Sequence, residues 1–151
     1  MPHIHDLYDF VVTFYIVYRN KVLLVHHRLL KKWVPLGGHI ELDEDPDEAL
    51  VREIKEECGL RVQFPKRRKA MKGTKPLYLP DFLDTHYFSK KHRHISLIYF
   101  LKAKNDKVKL AEREHFDIRW FSKEDLRKRE YNLEGSVRFY SRQALEKFRR
   151  Q

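Results

Sequence analysis

The sequence predicts a single α/β domain over residues 1–151, and three stretches carry that prediction. Tyr8–Tyr18 (YDFVVTFYIVY) and His94–Lys104 (HISLIYFLKAK) are rich in β-branched and aromatic residues, as strands are. Residues 45–58 between them carry the start and stop signals of a capped helix. Leu133–Arg150 repeats apolar residues at helical spacing, with Val137, Tyr140, Ala144, Leu145 and Phe148 as its packing face. A chain of 151 residues is long enough to bury a proper core in one domain.

Taken in order, Tyr8–Tyr18 is continuous enough to be a strand covered on both faces. Arg19–Lys21 is a turn, and Lys21–His27 (KVLLVHH) is the returning strand of a hairpin. His26 and His27 point to opposite faces there, so they cannot both line one site. In the helix, Asp45 offers the N-cap oxygen, Pro46 occupies the first turn and Glu48 completes a capping box. Leu50, Val51, Ile54 and Cys58 form its expected apolar stripe, and Gly59 can turn left-handed beyond its end. Arg61–Phe64 is a short strand, and 65–80 is basic and irregular, broken by Gly73, Pro76 and Pro80. Asp81–Phe88 and Phe116–Phe121 are further strands, Asn105–Lys107 a turn. Ser122 with Asp125 starts another helix by a near capping box.

The helix at 45–58 also carries the chemistry. Glu53, Glu56 and Glu57 project within roughly 100° of arc on one face. Three like charges so placed destabilise a helix, the more so at its C-terminal end, where the macrodipole disfavours anions. A divalent cation offsets both costs, and carboxylate oxygens suit Mg²⁺ or Mn²⁺, which also hold phosphate oxygens. Arg52 stands i,i+4 from both Glu48 and Glu56 and can orient carboxylates by charged hydrogen bonds.

Gly38, Glu44, Arg52, Glu53, Ile54, Glu56, Glu57, Gly59 and Leu60 fill every position of G-x5-E-x7-R-E-U-x-E-E-x-G-U, with U aliphatic. In this, residues 38–60 resemble the Nudix box, and the chain is identified as a member of the Nudix hydrolase family. Trp33 and Pro35 resemble the W-x-P-x-G-G entry to such boxes, with Leu36 where a proline is common. The resemblance implies an α/β/α sandwich around a mixed β-sheet. It also implies Mg²⁺-dependent hydrolysis of a pyrophosphate bond in a nucleoside diphosphate linked to another group, with Mn²⁺ as a substitute ion.

By the same resemblance Glu53, Glu56 and Glu57 form the metal cluster, with the Gly38 carbonyl and Glu41 beside them. Glu53 is the candidate general base and Glu114 the reserve, itself a candidate metal ligand. Glu44 has a structural part in the loop. Pro76 resembles the downstream proline of ADP-ribose hydrolases, and Tyr78 the tyrosine of diadenosine-polyphosphate hydrolases, so one loop carries both signatures. His39 is a candidate phosphate contact or a surface residue. His92 and His94 would share a strand face, which permits metal binding in principle. With no cysteine beside them and a hard-oxygen site already present, phosphate or ribose contact, assigned to His94, is the preferred reading.

Composition bounds the rest. The net charge is +10, yet residues 41–57 hold nine acids against two bases, leaving +17 elsewhere. An acidic island in a basic surface suits a cation site that attracts anions. Basic clusters at 66–69, 90–93, 127–129 and 147–150 keep RNA open as a partner beside nucleotide substrates, against plain solubility. One cysteine, no apolar run of membrane-crossing length, and a polar opening after Met1 predict a cytoplasmic protein without a membrane. Homodimers are common in the family. The alternative to an enzyme is a nucleotide- or RNA-binding regulatory domain of the same fold, whose usual mark, a degraded box, is absent.

Overall fold

The computed structural model describes residues 5–149. Residues 1–4 of the polar opening and Arg150 of the expected last helix lie outside them. Strands β1 (Tyr8–Tyr18), β2 (Lys21–His27), β3 (Trp33–Val34) and β4 (Leu36–His39) lead into helix α1 (Pro46–Glu57). Strands β5 (Val62–Gln63), β6 (Phe82–Tyr87), β7 (Arg93–Ala103) and β8 (His115–Ser122) follow, and helix α2 (Gly135–Lys147) comes last. All eight strands join one sheet in the order β3-β2-β1-β7-β5, with β4 also on β1, β6 on β7 and β8 on β2. The central pair β1–β7 is parallel and the other pairs are antiparallel, so the sheet is mixed.

Alternation along β1 builds the two cores. Val12, Phe14 and Ile16 face one way and pack with Ala49, Leu50 and Ile54 of α1 and with Cys58, which caps it. Tyr15 and Val17 face the other way and pack with Val137 and Ala144 of α2. Burying each Leu or Ile side chain in such a layer contributes about 1.5–3 kcal/mol. The expected α/β/α sandwich is therefore present. The β1–β2 turn is tighter than expected, Arg19 and Asn20 alone, at φ 45° and 61°, the two positive values a twisted hairpin favours.

Three local expectations are corrected. Val51 is 49% exposed, and Ala49 takes its place on the buried stripe of α1. The segment after Ser122 is only a 3-10 turn, Asp125–Arg127, although Ser122 and Asp125 do exchange the hydrogen bonds of a capping box. Lys128 then turns extended, and this stops the helix as Leu126 enters the core. Helix α2 begins at Gly135, two residues after the buried Leu133. Among the described residues no helix is long and apolar enough to cross a membrane.

Candidate active site

The site starts from how α1 is anchored. The Asp45 side chain accepts from Glu48 N at 2.9 Å and Glu48 returns a bond to Asp45 N at 3.1 Å, so both termini of the capping box are made. Pro46 begins the helix, and Gly59 leaves it at φ 63°, a conformation that costs glycine little. Strand β4 runs antiparallel to β1 and brings Gly38 beneath α1. A Cβ on Gly38 would lie 2.0 Å from Glu53 Oε1, so only a bare Cα admits the Glu53 carboxylate against this strand.

Arg52 then ties the carboxylates together. Its guanidinium donates to both oxygens of Glu44 at 3.0 and 2.5 Å, to Glu53 Oε1 at 2.8 Å and to Glu56 Oε2 at 3.2 Å. A further bond, 2.9 Å, reaches the His39 carbonyl. The expected pairing with Glu56 is present. The expected pairing with Glu48 is replaced by Glu44, because Glu48 is committed to the helix cap. Glu44 also accepts from Glu41 N at 3.0 Å, so it fixes the loop that carries Glu41.

Glu53 and Glu57 are buried, each 4% exposed, whereas the Glu56 side chain is 59% exposed. Burial pushes the Glu53 carboxyl up to about 7, against the Arg52 hydrogen bond and with help from the Glu57 charge. Burial also raises Glu57, opposed by the His115 hydrogen bond. His115 Nε2 lies 2.6 Å from Glu57 Oε2, and both groups are buried. Glu114, exposed, joins Glu57 and His115 with ligand atoms all within 4.8 Å of one another. His115 is missing from the sequence reading. Its only signal there is adjacency to Glu114, and its partner is 58 residues away.

The remaining residues fall in two places. The 65–80 loop is pinned to the start of α1: Arg67 pairs with buried Asp47 at 2.9 Å, and Tyr78 N donates to the same carboxylate at 3.2 Å. The Tyr78 ring stacks on Phe64 at 5.3 Å under the Arg67 guanidinium, and half-buried Pro76 lies in the same loop. A cleft of about 710 Å³ runs between loop and helix, lined by Arg52, Lys55, Glu56, Arg67 and Lys75 among others. His39 and His94 do not join the carboxylates; both are buried on the opposite sheet face, with ring centroids 5.1 Å apart.

An all-oxygen set of Glu53, Glu56 and Glu57, with the Glu53 carboxyl raised by burial, fits a hard divalent cation. The sequence matches the NUDIX domain family over residues 8–143. A solved NUDIX-family hydrolase from Clostridium perfringens is 33% identical, with TM-score 0.79, covering 93% of this chain and 97% of that one. A Lactococcus lactis protein named "Probable DHNTP pyrophosphohydrolase" is 31% identical over 93 residues, 62% of this chain and 53% of that protein. The m7GpppN-mRNA hydrolase NUDT17 of Xenopus laevis is 61% identical over 31 residues, 20% of this chain and 10% of that protein. The chain thus spans about half the length of the first curated relative and a tenth of the second. With the family matched across both helices and the sheet, and the box residues gathered at Gly38, this chain belongs to the NUDIX hydrolase family.

Proposed function

We propose that this chain hydrolyses a pyrophosphate bond in a nucleoside diphosphate derivative, using Mg²⁺ or Mn²⁺ held by Glu53, Glu56 and Glu57. The Gly38 carbonyl and Glu41 are the further ligands. The observation that carries this reading is the carboxylate cluster gripped by Arg52 above the bare Cα of Gly38. A bound divalent cation supplies Lewis acidity toward phosphate oxygens and makes nearby water more acidic.

The chain's own residues supply the rest. Arg52 orients Glu53 and Glu56 and keeps them from separating under mutual repulsion. Glu53 is the candidate acceptor of a proton from the attacking water. Glu114 is the reserve proton acceptor, placed beside Glu57. His115 holds Glu57 in position through the 2.6 Å bond. Lys55, Arg67 and Lys75 border the cleft next to Glu56 and attract the substrate's phosphates along it. Pro76 and Tyr78 shape the loop that reads the group attached to the diphosphate. The candidate substrates are nucleoside triphosphates, including the DHNTP that names the Lactococcus relative, ADP-ribose, dinucleoside polyphosphates and capped RNA. A single buried thiol, Cys58, suits a reducing, cytoplasmic setting.

The test is a hydrolysis screen over that panel with Mg²⁺ and with chelator, the products resolved by mass. Turnover that needs the ion and splits a phosphoric anhydride is the expected result. A folded, ion-binding protein that leaves every member intact overturns the hydrolase reading.

A further inference from the structure

On the sheet face opposite α1, the register assembles a second cluster of metal-binding side chains. Asp9 of β1 is the cross-strand partner of His94 of β7, and His94 is the partner of His86 of β6. Cross-strand partners project to the same face, and His92, two residues before His94, follows them. His39 of β4 pairs with Val11, two residues after Asp9, and so turns to that face as well. Asp9 and His92 are 3% exposed, His94 7% and His39 9%.

The donors converge closely. One ligand atom from each of Asp9, His92 and His94 lies within 4.8 Å of the others. Asp9 Oδ2 stands 3.1 Å from His39 Nε2 and 3.3 Å from His92 Nε2. His92 Nδ1 is 3.0 Å from the Asp6 carbonyl. That carbonyl can only accept, so Nδ1 donates to it. The His39 and His94 ring centroids lie 5.1 Å apart and those of His92 and His94 5.2 Å.

The convergence of these three donors suits a metal ion. A ring that donates Nδ1–H to a backbone carbonyl is the usual outer-shell support for an Nε2 ligand. Imidazole with carboxylate is a borderline donor set that favours zinc-class ions over Mg²⁺. Phe88, stacked on His94 at 5.0 Å, gives the cluster an apolar cover. We infer that Asp9, His92 and His94 bind a zinc-class divalent cation, with His39 as a fourth ligand, at a site separate from the carboxylate cluster. The preference for His94 as a phosphate or ribose contact gives way to this assignment.

The test uses the full chain, stripped by chelator and returned to excess Mg²⁺ so that the hard-oxygen site is filled. Zn²⁺ is titrated by calorimetry, and Co²⁺ by its visible absorption. The site predicts one Zn²⁺ per chain, with affinity lowered about 100-fold or more in His92→Asn and His94→Gln and unchanged in Glu56→Gln. Co²⁺ should give the intense bands of a low-coordinate imidazole site in wild type and Glu56→Gln, and lose them in His94→Gln. If a histidine variant fails to fold by circular dichroism, two-bond ¹H–¹⁵N imidazole spectra of the wild type decide. Zn²⁺ should then shift His92 and His94 and leave His115 in place. No Zn²⁺ bound in Mg²⁺ excess, loss of binding in Glu56→Gln alone, or a shift at His115 alone overturns the assignment.

Discussion

On one side of the β1–β4 pair Glu44, Glu53 and Glu56 share one guanidinium; on the other, three buried imidazoles surround one carboxylate. Gly38 and His39 are adjacent in sequence, yet strand alternation delivers one to each cluster. The first cluster is mostly oxygen around a helix, with His115 bonded to Glu57, and opens onto a cleft through exposed Glu56. The second is mostly nitrogen, enclosed between strands. The contrast teaches that ion choice is set by donor type and exposure, and that one strand can separate two chemistries by a single residue step.

The largest expected effect comes from removing the shared cation of the first cluster. Arg52→Ala leaves buried Glu53 without its ion pair, and breaking such a pair costs about 3 kcal/mol or more in urea denaturation. Mg²⁺ should restore part of that loss, because it neutralises the same carboxylates; no recovery would mean that Arg52, and not a metal, is what the cluster requires.

Gly38→Ala comes next, since its Cβ must displace the Glu53 carboxylate now 2.0 Å from that position. Overpacking of this kind costs about 1–3 kcal/mol, and Mg²⁺ affinity should fall as well. Unchanged Mg²⁺ binding by calorimetry would take Glu53 out of the ligand set.

The pH dependence follows from the raised Glu53 carboxyl. Its folded form favours the proton, so that contribution to stability is present below about 4.5 and is lost as pH rises through about 7. Without metal, the melting temperature should therefore drop across that window, less so in Glu53→Gln. Added Mg²⁺ should stabilise the wild type more at pH 8 than at pH 6. A metal effect independent of pH would contradict the assignment.

The smallest effect sharpens the comparison by separating helix from site. Asp45→Ala removes the N-cap and should cost about 1 kcal/mol while leaving Mg²⁺ affinity intact. A large loss of affinity in the same titration would show that the cluster depends on the far end of α1.

Much of this was legible in local spacing. The cap of α1, its glycine stop, the long strands and the positions of Glu53, Glu56 and Glu57 all depend on residues a few positions apart. What local spacing does not hold are partners from distant strands. His115 reaches Glu57 across 58 residues, and Asp9 meets His94 only through the β1–β7 register. Val51 matched the apolar period but lies on the outer edge of the stripe, where small Ala49 packs closer to the sheet. Arg52 had two acidic neighbours at helical spacing, and the cap claimed one of them, which left Glu44 of the preceding loop to take its place.

The most direct test of the central claim is the turnover of Glu56→Gln measured beside its melting temperature. Glu56 is exposed and contributes little to packing, so stability should change by less than about 1 kcal/mol. Hydrolysis should fall by about 10²–10³ if the carboxylate helps hold the charge that develops on the phosphates. Turnover close to wild type, or a loss of stability large enough to explain the loss of activity, would contradict it.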